Sequence, residues 1–222
     1  MSSRAAVVTA AGASARMGGG MKKEYRGIRG RPVLAMAVRA FLDTGLFHSL
    51  VVTVPPGETK SVRGLLEPHV DLADVRFVEG GDTRQESVRR ALLSLASDPP
   101  SIVLIHDGAR PWVDGALIRR VLDAVELQGA AVPVAAITDA VKIVGSSGLV
   151  AEHLPRGRAL GAQTPQGFLF AGILEAHEAA RRDGTRCIDD AEVWERLRGP
   201  VAAVPGDPRN RKITFPHDIE EP

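Results

Sequence analysis

Residues 5–18 read Ala-Ala-Val-Val-Thr-Ala-Ala-Gly-Ala-Ser-Ala-Arg-Met-Gly, a short apolar run that dissolves into small residues before an arginine. The first five suit a buried strand. The loop that follows has almost no side chains, so a ligand can approach its backbone and its N–H groups can converge on phosphate oxygens. Ala10, Ala11 and Gly12 form the candidate cradle, and Arg16, Lys22 and Lys23 place fixed positive charge beyond it. Gly12, Gly18, Gly19 and Gly20 do not have the G-x-G-x-x-G spacing of a dinucleotide fold, and the Gly-Lys-Ser/Thr ending of a P-loop is missing. A flexible glycine loop with solvated cations is the plain alternative.

Downstream, short β-branched runs at 50–54, 75–78, 102–105 and 130–134 alternate with segments at 33–43, 58–67, 85–95 and 116–128, where apolar residues recur at spacings of three and four. Strand followed by crossover helix, repeated, predicts a mostly parallel, doubly wound α/β sheet covered on both faces. Ligands of such sheets bind outside the carboxyl ends of the strands, which directs attention to the loops after Thr9, Val78 and Ile105. At 141–144 and 149–154 two short strand-like pieces flank Gly145-Ser146-Ser147-Gly148, predicting a protruding β-hairpin arm at about 139–156. It is either a surface excursion or a dimerisation element whose strand edges a second copy covers. Helices are expected at 168–181 and 189–197, and final short strands at 201–204 and 212–214.

The 222 residues are expected to form a single domain over 1–222, with composition ordinary for a soluble globular protein: 44% hydrophobic and 25% charged. A net charge of +1 gives no reason to bind nucleic acid or an anionic membrane surface, so an anion site must be local. Cys187 is the single cysteine, which excludes an internal disulfide and a cysteine-clustered metal site and fits a reducing cytoplasm. The N-terminal apolar stretch meets glycines too soon for a signal peptide, and no apolar run reaches the ~18 residues of a membrane-spanning helix.

Two more loops carry chemistry. Gly80-Gly81-Asp82-Thr83-Arg84-Gln85-Glu86-Ser87 follows the third strand, where the glycine pair lets a base or ribose lie against backbone and Asp82 or Ser87 can hydrogen-bond it. A turn leading into a helix N-cap is the structural reading of the same residues. His106-Asp107-Gly108-Ala109-Arg110-Pro111 sets a carboxylate at the end of the fourth strand, suited to Mg²⁺ or another divalent cation against phosphate oxygens, or to an ion pair with Arg110. His106 is assigned a structural role, because a phosphate nucleophile is already anionic and needs no base. Later in the chain, Arg156, Thr164 and Lys212 are residue types that bind phosphate well.

These motifs, in this order, resemble the 2-C-methyl-D-erythritol 4-phosphate cytidylyltransferase family over about residues 5–219. The family reads Ala-Ala-Gly, four residues, Met, then Pro-Lys-Gln-Tyr or Phe; here Lys22 stands for the proline, Lys23 for the lysine and Glu24 for the glutamine. It also shares the glycine pair with arginine-x-x-serine, His-Asp-x-Ala-Arg-Pro, and an acidic pair before a helix, here Asp189-Asp190. The resemblance implies a Rossmann-like nucleotidyltransferase fold and an enzyme using CTP and a polyol phosphate, while the arm favours a homodimer and the lone cysteine a cytoplasmic protein. It implies that Arg16 and Lys23 stabilise the reacting phosphates, Gly81, Asp82 and Ser87 recognise cytosine, Arg156 and Lys212 position the attacking phosphate, and Thr164 hydrogen-bonds it. Ala140 and Ile188 stand where members often carry threonines that touch the acceptor. Ribitol 5-phosphate is therefore the alternative acceptor, and a noncatalytic nucleotide-binding protein the alternative of another class.

Overall fold

The computed structural model describes residues 3–12 and 22–219. In chain order the elements are β1 (Arg4–Thr9), β2 (Gly27–Ile28), β3 (Arg31–Pro32), α1 (Val33–Leu42), β4 (Ser49–Val54), α2 (Thr59–Leu66), β5 (Val75–Glu79), α3 (Arg84–Leu95), β6 (Ile102–Asp107), α4 (Gly115–Gln128) and β7 (Ala130–Ala136). There follow β8 (Lys142–Val144), β9 (Val150–His153), β10 (Leu160–Ala162), β11 (Gln166–Leu169), α5 (Phe170–Arg182), α6 (Asp190–Arg198) and β12 (Ala202–Pro205). None of the described helices is long and apolar enough to cross a membrane.

β5, β4, β1 and β6 run side by side and parallel, β12 adds parallel to the outer edge of β7, and β10 and β11 pair antiparallel with β7. β11 also pairs antiparallel with β6, so it separates β6 from β7. The sheet is thus mostly parallel, as the alternation of strand and helix predicts. Both faces are covered, and the two-residue period shows it directly. Ala6, Val8 and Leu104 pack under α1, α2 and α4, whereas Ala5, Val7, Val103 and Ile105 pack under α3, α5 and α6. Each fully buried valine, leucine or isoleucine here contributes about 1.5–3 kcal/mol relative to exposure. Capping fixes where the helices begin: the side chains of Thr83, Asp114 and Asp189 accept from the backbone N–H groups of Glu86, Leu117 and Glu192.

Two expectations are corrected. Residues 168 and 169 are the end of strand β11, not the start of the helix, which begins at Phe170. Gly167 makes this strand possible, since a Cβ there would lie 2.6 Å from Leu104 and 2.7 Å from Val125, leaving no room for a side chain under α4. Residues 212–214 form no strand. The Thr214 and Phe215 N–H groups both donate to Asp218 Oδ2, at 2.7 and 2.8 Å, and only Ile213 N–H reaches across, to the Ala109 carbonyl.

The arm is present. β8 pairs antiparallel with β9 and with no strand of the main sheet, and every residue of both is exposed. Val144, Leu149 and Val150 stand among its exposed apolar side chains, Leu149 at 72%.

Candidate active site

The loops after β1, β5 and β6 leave the sheet at one edge because their strands are parallel, and their backbones touch. A Cβ on Gly80 would fall 2.3 Å from the Ala11 Cβ, and one on Gly108 would fall 2.8 Å from the Thr9 carbonyl, so both glycines permit a close approach. Gly108 N–H donates to Thr9 O at 2.9 Å, and Ala10 N–H donates to Thr53 O at 3.0 Å. After Ala10, the first loop is held from the other side by the Lys22 ammonium, which donates to the Ala11 and Gly12 carbonyls at 3.4 and 3.1 Å. Lys23 is buried in a 3-10 turn spanning Lys23–Tyr25. Arg16 lies outside the described residues.

In the second loop, Ser87 is buried. Its hydroxyl accepts from Gly81 N–H at 3.1 Å and donates to Thr83 O at 2.8 Å, so it pins the glycine turn, while Asp82 remains exposed. Arg90 donates to the Gly80 carbonyl at 2.8 Å.

Asp107 ends β6 and is nearly buried, with three cations around it. Arg84 Nε lies 3.0 Å from Oδ1, while Lys212 Nζ and Arg110 Nε lie 2.8 and 3.6 Å from Oδ2. Burial alone would push this carboxyl up, but Arg84, Lys212 and Arg110 outweigh burial and hold it well below the ordinary carboxylate value. The pairing with Arg110 and a site for a cation are therefore not exclusive alternatives; both draw on the same negative centre. Among the described residues no group of three or more His, Cys, Asp or Glu could hold a metal ion by itself. A hard cation arriving on a triphosphate needs only one or two carboxylates, the remaining positions being phosphate oxygens and water, and Asp107 at the carboxyl end of β6 fits that demand.

Beneath Asp107 lies a neutral hydrogen-bonded floor. Thr164, in the cis Thr164-Pro165 peptide between β10 and β11, accepts from Asp107 N–H at 3.0 Å through Oγ1, which also lies 3.0 Å from His106 Nδ1. His106 Nε2 lies 3.0 Å from the Arg110 carbonyl, which assigns the ring proton to Nε2 and the Thr164 proton to the Nδ1 bond. Thr164 is thus committed on both sides. Asn210 donates to the Thr164 carbonyl at 2.7 Å, and Arg110 donates to the Asn210 carbonyl at 2.8 Å, which locks the segment carrying Lys212 against β6.

Burial lowers the His106 pKa from 6.5 to about 4. Its folded value lies below its unfolded one, so its contribution to stability is complete above about pH 6.5 and shrinks as the pH falls toward 4. The full effect is about 3 kcal/mol. Urea unfolding across this window should show the loss, and His106→Gln should flatten it; an unchanged slope in the variant would contradict the assignment.

Arg156 is exposed on the connection after β9 and makes no side-chain hydrogen bond or ion pair among the described residues, so the fold does not bring it to Asp107 within this chain. Sequence reasoning passed over Asn210, Gln166 and His177. For His177 a signal existed: it falls on the apolar stripe of its helix beside Ile173, Ala176 and Ala180.

In a doubly wound sheet, loops gathered in this way at the carboxyl ends of the strands are where a ligand binds. The model of the family described as IspD, 2-C-methyl-D-erythritol 4-phosphate cytidylyltransferase, matches residues 4–221. The chain belongs to that family. It is 44% identical over 219 residues to the bifunctional enzyme IspD/IspF of Nitrobacter hamburgensis, covering 97% of this chain and 53% of that one. It is 36% identical to the 2-C-methyl-D-erythritol 4-phosphate cytidylyltransferase of Acidobacterium capsulatum, over 96% of this chain and 93% of the relative. The crystal structure of the 2-C-methyl-D-erythritol 4-phosphate cytidylyltransferase from Thermus thermophilus superposes with a TM-score of 0.79 at 34% identity, covering 99% of this chain and 96% of that one. The chain spans about half the length of the bifunctional relatives it matches.

Proposed function

We propose that this chain transfers CMP from CTP to 2-C-methyl-D-erythritol 4-phosphate, giving 4-diphosphocytidyl-2-C-methyl-D-erythritol and pyrophosphate. The carrying observation is the junction of three loops around the cation-ringed Asp107, in a chain that belongs to this family. The acceptor phosphate attacks the α-phosphorus in line, a bond to pyrophosphate breaks, and no covalent enzyme intermediate forms. Bringing two polyanions together is the main obstacle, so positioning and charge stabilisation carry the catalysis.

In this reading Ala10, Ala11 and Gly12 receive the triphosphate. Gly81 and Asp82 meet cytosine, with Ser87 holding the Gly81 backbone for that contact. Arg16 and Lys23 stabilise charge developing on the transferred phosphoryl group. Asp107 would hold Mg²⁺ or another divalent cation, which supplies charge neutralisation at the phosphate oxygens. Lys212 is one-third exposed on a flexible stem, so it can exchange Asp107 for the acceptor phosphate. Thr164 serves the acceptor through Asp107, whose backbone it holds. Arg156 stands apart from Asp107 within this chain, so in this reading the arm presents it to the acceptor at the site of a second copy. The reducing cytoplasm suits the free thiol of Cys187.

Ala140 and Ile188 are both exposed and offer no hydroxyl to select one polyol phosphate over another, so ribitol 5-phosphate is the competing acceptor. Phosphorus NMR separates the two. CTP with 2-C-methyl-D-erythritol 4-phosphate should give a pair of coupled diphosphate signals alongside free pyrophosphate. Those signals appearing with ribitol 5-phosphate instead would overturn the first choice.

The exposed apolar residues of the arm support a homodimer formed through it, with strand edges and Val144, Leu149 and Val150 covered by a second copy. Removing residues 141–154 should halve the mass seen by light scattering. A dimer that survives the deletion argues against the arm as its seat.

A further inference from the structure

Asp107 has two oxygens in different surroundings. On the Oδ1 side, Arg84 spans two carboxylates, with Nε 3.0 Å from Asp107 and a terminal nitrogen 2.8 Å from Asp190 Oδ2. Asp190 is buried at the start of α6, and its Oδ1 lies 3.2 Å from Nε2 of the equally buried His177. Burial opposes both charges, yet the mutual attraction prevails: Asp190 is held below the ordinary carboxylate value by Arg84 and His177, and Arg84 above its own by Asp190 and Asp107.

The mount behind Asp190 is rigid. Gln166, buried on β11, donates to Asp189 Oδ2 at 2.8 Å and accepts from Ala191 N–H at 3.0 Å, fixing both neighbours of Asp190 to the sheet. Gln85 donates to Thr185 O and accepts from Cys187 N–H, each at 3.0 Å, which ties the approach to α6 onto α3. On the Oδ2 side Arg110 stands farther off, its Nε at 3.6 Å and its terminal nitrogens donating to the Asn210 and Ala162 carbonyls instead. The nearest partner of Oδ2 is the ammonium of Lys212, a compact charge on a flexible stem, whereas a guanidinium is a planar fork.

We propose that Asp190 and Arg84 are positioning residues for Asp107: Asp190 holds the Arg84 fork turned away so that it grips one oxygen of Asp107 and leaves the other to be exchanged between Lys212 and a divalent cation. Released from Asp190, the fork is free to close on both oxygens of Asp107 in the bidentate geometry that guanidinium and carboxylate prefer, and would then exclude the cation. The inference rests on the cytidylyltransferase reading through the cation at Asp107.

Mn²⁺ binding to the whole protein with CTP and no acceptor, followed by electron paramagnetic resonance, tests it without turnover. Asp190→Asn should weaken Mn²⁺ binding about 10-fold or more and move the Mg²⁺ dependence of turnover to higher concentration. Adding Arg84→Met in the same chain removes the competing fork and should restore Mn²⁺ affinity to within about 3-fold of the parent, while turnover stays at least ~10-fold low because Asp107 has lost its mount. A purely structural role for Asp190 gives no such rescue. If Asp190→Asn alone does not fold, the double variant decides, since it leaves no uncompensated cation buried. Parental affinity in Asp190→Asn, a double variant no better than the single, or parental turnover in the double variant overturns the proposal. Asp107→Asn is the control: if it binds Mn²⁺ like the parent, the cation reading at Asp107 fails, and the inference with it.

Discussion

Asp107→Asn should lower turnover by about 10²–10³-fold, the range expected when a preorganised charge at a reacting phosphate is lost. Asparagine keeps the shape of the side chain and the backbone bond to Thr164, so the loop itself should persist. What disappears is the negative centre among Arg84, Lys212 and Arg110. Arg84 retains Asp190 and Lys212 can turn to water, so the folding cost should lie toward the lower end of that for a broken buried pair, about 3 kcal/mol. Steady-state kinetics beside urea unfolding separates the two effects. Parental turnover in a folded variant would remove Asp107 from the reaction.

The second large effect concerns the cations of the first loop. Lys23→Ala and Arg16→Ala should each lower turnover by ~10²-fold with a smaller change in KM for CTP, because their proposed interaction strengthens as charge develops on the phosphates. Lys23 is nearly buried, so a melting curve must accompany its kinetics. Unchanged turnover in both folded variants would sink these roles. Lys22→Ala provides the contrast: its ammonium holds the carbonyls of Ala11 and Gly12, so its loss should raise KM for CTP more than it lowers turnover.

The parallel core was legible because strands such as β1 and β6 send alternate residues into opposite faces and their helices carry a regular apolar stripe. The antiparallel β10 and β11 were not, since Leu160-Gly161-Ala162 and Gln166-Gly167-Phe168-Leu169 are too short to show a period, and glycine in a strand reads as a turn unless the close packing above it is known. Residues 212–214 look like a strand by composition, but the Asp218 carboxylate takes the N–H groups of Thr214 and Phe215 instead. In the candidate site, the loops that meet were legible as compact motifs around Ala10, Gly81 and Asp107. Residues that act across the fold were not. Gln166, His177 and Asn210 gain meaning only when β11, α5 and the C-terminal segment meet beneath β6, and Arg84 was visible as part of a motif but not as a bridge between two carboxylates.

The proposed transfer is decided by the route of one phosphorus atom, which CTP labelled at its α-phosphorus follows. With the purified chain, Mg²⁺ and 2-C-methyl-D-erythritol 4-phosphate, the label should pass into a CDP-linked product as pyrophosphate appears in equal amount, and without acceptor it should remain in CTP. Label released as free CMP, or carried to ribitol 5-phosphate in preference, would contradict it.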